Sequence, residues 1–154
     1  TTLSYGSAYI FRLRAKDKSG NLSGPIDSPA VTATLHRDSS SLATYGSGWS
    51  TRSSVGATNG SVHTASRAGA SMRFGFTGRS VALVATRGRS RGSVKVYLDG
   101  AYLSTVDLYR TTTLSKVVVF SKTWENKATH SLRLVVAGTA GHPRVDIDGF
   151  VVVR

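Results

Sequence analysis

Three arginines, a serine and two glycines fall within the six residues RGRSRG, 87–92. Gly88, Ser90 and Gly92 have the G-x-S-x-G spacing that presents a nucleophilic hydroxyl where a strand turns sharply into a helix. Arg87, Arg89 and Arg91 offer something different, planar donor forks that suit carboxylate, sulfate or phosphate. The residues that follow decide between these chemistries. Ser93–Leu98 alternates with period two and is rich in Val and Tyr, so it predicts a strand and not a helix. The four histidines, His36, His63, His130 and His142, are scattered, and none stands in a triad context. The segment therefore reads as a turn between strands, with Arg87, Arg89 and Arg91 as anion-contact candidates or as a solvated loop.

Acid pairs and aromatics are the other groups able to do chemistry. Glycoside cleavage needs two carboxyl groups flanking a bond. Glu125 is the single glutamate, and Asp146 and Asp148 lie two apart in one strand pattern, where they are expected to face outward while Val145 and Ile147 fill the core. Sugars present apolar C–H faces and rings of hydroxyls, which call for an aromatic platform with a few polar anchors. Trp49 lies in the Gly/Ser segment YGSGWS with Tyr45 four residues earlier, Trp124 lies in SKTWENK between two predicted strands, and Tyr109-Arg110 follows the strand ending at Asp107. These five residues, Trp124, Trp49, Tyr45, Tyr109 and Arg110, are the ligand-binding candidates. For Trp49 a plug sealing one end of the fold is the stronger alternative, because tryptophan is usually well buried. Tyr97 and Phe150 read as core or near-surface packing.

The elements that must position these groups are strands. Short alternating runs bounded by Gly, Ser, Asn and Asp recur along the chain, the pattern of an all-β sandwich or barrel. AYIFRLRAK (8–16) places Tyr9, Phe11, Leu13 and Ala15 on one face, and AVTATL (30–35) follows a turn-rich stretch. Beyond Arg37 come SVHTAS, SMRFGF, SVALVAT, SVKVYLD, AYLSTVD, SKVVVFS, HSLRLVVAG and RVDIDGFVVVR. Eight strands is the count of a jelly roll, and Asp99-Gly100 supplies the positive φ values of a tight hairpin. The predicted division is 1–36 and 37–154.

Composition narrows the functional classes. With 154 residues, 40% of them hydrophobic, the chain can bury a core. It has no cysteine, which excludes disulfides, thiolate metal sites and cysteine nucleophiles. Its longest apolar run is far below the roughly 20 residues that span a bilayer, so membrane insertion is not expected. There is no leader pattern at Thr1, so an export signal would have lain upstream or been removed. The net charge is +12, and no acidic residue occurs between Asp38 and Asp99. Such a field attracts polyanions. No helix-turn-helix, zinc-finger or aromatic-sheet signature accompanies it, so specific nucleic-acid binding is not expected.

Two resemblances add to this reading. YIFRLRAKDKSGNLS and SPAVTATL resemble the last two strands of a fibronectin type III domain. DSSSLATYGSGWS, residues 63–100, THSLRLVV and VDIDGFVV resemble the galactose-binding-like jelly rolls that act as carbohydrate-binding modules. The second resemblance implies a non-catalytic binding or adhesion module of a secreted or cell-surface bacterial protein. It would hold upstream domains of the same polypeptide near a polysaccharide or an anionic cell-surface polymer. It also implies a place for structural calcium at Asp148, with Asp38 as partner, although the acid-poor stretch 39–98 departs from what calcium prefers. No other cofactor is required. The alternative is a structural or protein-interaction sandwich, a spacer or appendage component without glycan binding.

Overall fold

The alternating runs form strands, and two of them are far longer than the pattern suggests. A computed structural model describes residues 3–154; among these the chain is all-β, without a helix. The strands are β1 (Ala8–Tyr9), β2 (Arg12–Leu13), β3 (Ile26–Asp27), β4 (Val31–Arg37), β5 (Ala43–Tyr45) and β6 (Ser50–Ser53). They continue as β7 (Ser61–Ala65), β8 (Ser71–Arg87), β9 (Ser93–Leu98), β10 (Ala101–Asp107), β11 (Leu114–Val136) and β12 (Val145–Val153). All strand pairings are antiparallel.

SMRFGF and SVALVAT are the two halves of β8, and SKVVVFS and HSLRLVV are the two halves of β11. The two strands turn a corner together. Residues 71–78 of β8 pair with 128–135 of β11, whereas 80–87 pair with 114–123. At the corner a Cβ on Gly78 would sit 2.6 Å from Val152 Cγ1 and 2.8 Å from the Val153 carbonyl, so only glycine lets β8 cross so close to β12. Opposite Gly78, the register jumps from Thr123 to Ala128. The expected loop SKTWENK is therefore a bulge within β11, because the ribbon stays hydrogen-bonded on both sides of it.

The folded ribbon gives the molecule two layers, as expected for a jelly-roll β-sandwich. One layer contains β5, the first half of β8, the second half of β11, β9 and β10. The other contains β4, β7, β12, the second half of β8 and the first half of β11, with β6 on β7. Met72, Phe74, Phe76, Leu132, Leu134 and Val136 point inward from the first, and Val81, Leu83, Ile147, Phe150 and Val152 from the second. Phe74 stacks on Phe150 across the interface, ring centroids 4.1 Å apart and 7° from parallel. Each such side chain contributes about 1.5–3 kcal/mol when fully buried.

β4 crosses the position where the two regions of the chain were expected to divide. Ala33–Arg37 pair with β12, and Val31 and Thr32 pair with β1. The preceding segment, expected as one alternating strand over 8–16, is instead broken into β1 and β2, which pair with different strands, and it buries little: Ile10 is 62%, Phe11 57% and Leu13 71% exposed. Its β2–β3 ribbon is two residues deep and is clasped by the Arg12–Asp27 ion pair at 2.7 Å.

Asp146 and Asp148, expected to face outward, are buried. β12 runs through the middle of its layer, and distant loops cover its first half, so Val145–Phe150 are buried without alternation. Both aspartates are hydrogen-bonded by those loops, as described below.

His36 on β4 pairs with Phe150 and lies 5.6 Å from the Phe74 ring, with its Nε2 buried and unpartnered. Burial, and secondarily the charge of Arg154, hold its imidazole below the ordinary value of 6.5. The unfolded chain then takes up a proton before the folded one does, so this contribution is present above pH 6.5 and lost as pH falls below it. His36→Phe is expected to reduce the loss of stability between pH 7 and pH 5 in urea titrations. An unchanged slope would place that loss on other histidines.

Candidate ligand-binding face

The outward phase of the first layer builds a row of five side chains across five strands. Thr44 on β5 pairs with Arg73 on β8, Arg73 with Arg133 on β11, Arg133 with Tyr97 on β9, and Tyr97 with Tyr102 on β10. The flanking residues Met72, Phe74, Leu132, Leu134, Val96 and Leu98 are buried, so alternation forces the members between them outward. The Arg133 guanidinium carbon lies 4.3 Å from the centre of the Tyr97 ring, a cation–π contact. Tyr102 stands edge-on to Tyr97 at 5.5 Å and is 55% exposed, leaving a ring free for contact.

Three cavities open along this face. One of about 290 Å³ is lined by Thr44, Gly46, Ser71, Arg73 and Arg133. The next, about 250 Å³, shares both arginines and adds Asp99, Gly100 and Ser131. A third of about 460 Å³ lies over Gly75, Thr77 and Thr129. The floor is thus small, hydroxyl-bearing and cationic. Asp99 is the one carboxylate lining these cavities, and it is already engaged by His130 Nδ1 at 2.7 Å and the Ser131 N–H at 2.8 Å. Burial would raise its pKa, but these bonds and the His130 charge outweigh that and hold it below the usual range.

The predicted site residues lie elsewhere, in three groups. Tyr45 and Trp49 pack against the core with rings 5.4 Å apart; Tyr45 stacks on His63 at 3.9 Å and donates its hydroxyl to the Asp38 carbonyl. Burial, then the Asp38 charge, pushes the Tyr45 phenol far above its ordinary value. Trp49 Nε1 is buried without a partner. Trp124, at the corner of the ribbon, is half-buried with His130 stacked on it at 4.0 Å and Phe76 at 6.1 Å.

The structure does bring Tyr109 and Arg110 together with Arg87 and Arg89, since Gly88 N–H donates to Leu108 O and Arg110 N–H to Gly88 O. Arg87 Nη2 reaches the Asp107 and Tyr109 carbonyls, and Arg89 Nε the Thr111 carbonyl at 2.7 Å, so both arginines hold the loop 108–112. Arg91 turns inward to Asp146. Gly88–Gly92 joins two strands and precedes no helix, and a Cβ on Gly92 would collide with the His142 carbonyl, which accounts for that glycine.

Both Asp148 oxygens accept hydrogen bonds from the Thr58 N–H, and Oδ2 also accepts one from Thr58 Oγ1. Asp38 Oδ2 pairs with His63 Nδ1 at 2.9 Å, while Oδ1 is buried and alone. Calcium takes six to eight oxygens. No three His, Asp or Glu side chains converge among the described residues. The residues at Asp38 and Asp148 therefore do not fit the calcium that the resemblance implies; a histidine and a threonine occupy their carboxylates instead. His63 Nε2 lies 3.4 Å from Thr51 Oγ1, giving the acid–imidazole–hydroxyl order of a triad, but that last contact is long for a hydrogen bond of hydroxyl and imidazole.

No family model matches the chain, and no curated protein matches it in sequence. Solved structures do match. A family 35 carbohydrate binding module from Clostridium thermocellum is 14% identical with a TM-score of 0.54, covering 78% of this chain and 97% of that one. The CBM36-1 domain of a multidomain xylanase from the hindgut metagenome of Trinervitermes trinervoides gives 13%, 0.54, 79% and 96%. A family two carbohydrate esterase from Cellvibrio japonicus gives 10% and 0.57 over 80% of this chain, but only 34% of the esterase is spanned. The shared feature is the fold. This chain is a β-sandwich of the same architecture.

Arg73, Tyr97, Tyr102 and Arg133 were absent from the sequence-predicted site. For Arg73, Tyr97 and Arg133 the signal was the polar phase of SMRFGF, SVKVYLD and HSLRLVV, each placing its Arg or Tyr between two core residues; Tyr102, between exposed Ala101 and Leu103, carried no such signal.

Proposed function

We propose that this chain is a non-catalytic carbohydrate-binding module, and that its ligand lies across the outer face of the β5–β8–β11–β9–β10 layer. The observation that carries the reading is the cross-strand row that puts the exposed Tyr102 ring on the same face as two cavities sharing Arg73 and Arg133. An aromatic ring suits the C–H face of a sugar, and the serines, threonines and arginines of the floor suit its hydroxyls. Two solved structures nearly coextensive with this fold are carbohydrate-binding modules by name, which supports the same reading. No helix of the described residues is long and apolar enough to cross a membrane.

The biological setting that accompanies this proposal is a secreted or surface protein, with the module tethering upstream domains to a polysaccharide. Residues 1–36 would belong to a fibronectin type III-like neighbour. A cavity of about 310 Å³ lined by Leu3, Tyr5, Tyr9, Phe11 and Val153 supports a docking role for that end, and so favours the second reading, a protein-interaction sandwich.

Affinity electrophoresis through gels containing neutral or acidic polysaccharides tests the choice. Retardation by at least one glycan, weakened about tenfold by Tyr102→Ala (about 1.4 kcal/mol), is the expected outcome. Loss on Trp124→Ala with Tyr102→Ala unaffected would move the site to the ribbon corner. No retardation by any glycan would end the carbohydrate reading.

A further inference from the structure

Arg73 and Arg133 occupy directly opposed positions on adjacent antiparallel strands. Cβ atoms in such pairs are about 4.5–5.5 Å apart, and like charges there repel. A fold with no use for this pair would pair at least one member directly with an acid. That does not happen: Asp99 lines one cavity with both arginines, yet among the described residues neither guanidinium makes an ion pair or a hydrogen bond to protein. The other arginines expected to contact anions differ in this respect, because Arg87 and Arg89 spend donors on backbone carbonyls and Arg91 on Asp146.

The pair is also oriented. Tyr97 carries the Arg133 guanidinium on its ring, fixing one fork over the face, and the same two arginines line two adjoining cavities. The carboxylate nearest to hand, Asp99, is held by His130 and Ser131. The strands flanking the pair contribute Lys95 and no further acid beyond Asp107 at the far end of β10, whose Oδ1 accepts from the Tyr109 N–H. Two unspent planar forks beside hydroxyl-bearing side chains and an exposed tyrosine match a sugar that carries an oxyanion.

We infer that Arg73 and Arg133 form a two-arginine clamp for the acidic group of a polysaccharide, a uronate carboxylate or a sulfate ester, with Tyr102 against the sugar ring. This deepens the carbohydrate-binding reading and rests on it. Tyr97 is a positioning residue, acting through Arg133.

The test measures binding of the 154-residue chain to polygalacturonate, to the same polymer fully methyl-esterified, to dextran and dextran sulfate, and to duplex DNA. Arg73→Gln, Arg133→Gln and Arg133→Lys are compared with Lys122→Gln, which removes one exposed charge from the other layer. Folding of each variant is checked by thermal unfolding; removing one of two opposed cations should leave the midpoint equal or higher. The inference predicts at least tenfold loss in both glutamine variants, partial retention in the lysine variant, no change in Lys122→Gln, and no binding to the uncharged form of the bound polymer. Preference for polygalacturonate identifies carboxylate as the anion, and preference for dextran sulfate identifies sulfate.

Equal binding of charged and uncharged polymers, with the arginine variants unaffected, would overturn the clamp and leave the module reading standing. Failure to bind any glycan would remove both. Binding of DNA as tight as that of the acidic glycan, weakened alike by Lys122→Gln, would overturn the clamp in favour of diffuse charge.

Discussion

Phe74→Ala is expected to destabilise the protein by about 4 kcal/mol, the range for a phenylalanine lost from a packed core. Phe74 is fully buried and is the side chain through which the two layers meet: Phe150 stacks on it at 4.1 Å, Phe76 at 5.7 Å, and His36 approaches at 5.6 Å. Alanine would remove both the transfer free energy of the ring and the contacts of its neighbours, and the hydrogen-bonded ribbon around it leaves little freedom to collapse. For a chain of this length the unfolding midpoint should fall by about 10 °C. Phe74→Leu, which fills much of the volume, should cost about 1 kcal/mol. Chemical denaturation of the two variants reads both numbers. A cost below about 1.5 kcal/mol for the alanine variant would mean that the layers do not meet at this ring. The neighbouring Arg73 gives the experiment a functional side, because loosening β8 at position 74 disturbs the residue beside it on the binding face.

That adjacency shows which parts of the molecule were legible in the sequence. In SMRFGF the alternation identified Met72, Phe74 and Phe76 as core, and the structure buries all three. Asp99-Gly100 was legible as a hairpin tip, and both residues have the positive φ it needs, 50° and 89°. The corner was not legible. SKTWENK has a loop's composition, yet it remains within one strand because Thr123 and Ala128 keep partners on β8, more than forty residues away. The burial of Asp146 and Asp148 was hidden for a related reason: the groups that cover them, Arg91 and Thr58, come from loops distant in the chain. The outward phase of Arg73, Tyr97 and Arg133 was available from periodicity alone. Their assembly into one row was not, because it depends on β11 lying between β8 and β9, and strand order is written in no local pattern. At the start of the chain the reverse holds. Tyr9, Phe11 and Leu13 alternate in sequence as a core strand would, but the segment breaks into two short strands and Ile10, Phe11 and Leu13 all stay exposed among the described residues, so periodicity there marked neither a continuous strand nor a buried face.

Asp146 connects the RGRSRG turn to the stability of the fold. Its carboxylate is 1% exposed; Oδ2 accepts Arg91 Nη2 at 2.6 Å and Nε at 3.0 Å, and Oδ1 accepts Arg144 Nε at 2.6 Å. Arg144 adds a bond to Thr64 Oγ1 at 3.2 Å, and Arg91 one to Ser90 Oγ at 2.9 Å. The cluster therefore ties the 88–92 turn to β7 and β12. Asp146→Asn preserves shape and removes the charge, leaving two guanidinium side chains, 14% and 25% exposed, facing each other across a neutral amide. Breaking a buried pair from one side costs about 3–5 kcal/mol, chiefly because the remaining charge is left unpaired and poorly solvated. The expected loss is near the lower end of that range, since the arginines retain some contact with water. The added variant Arg91→Leu should recover part of the loss by removing one stranded cation, a coupling that a double-mutant cycle isolates. Moderate salt should change the wild-type value little, because screening hardly reaches a buried pair. If Asp146→Asn costs less than 1 kcal/mol, Arg91 is not committed to the fold, and its guanidinium becomes available to an external anion. The measured cost thus decides whether the third arginine of RGRSRG belongs to the architecture or to a ligand.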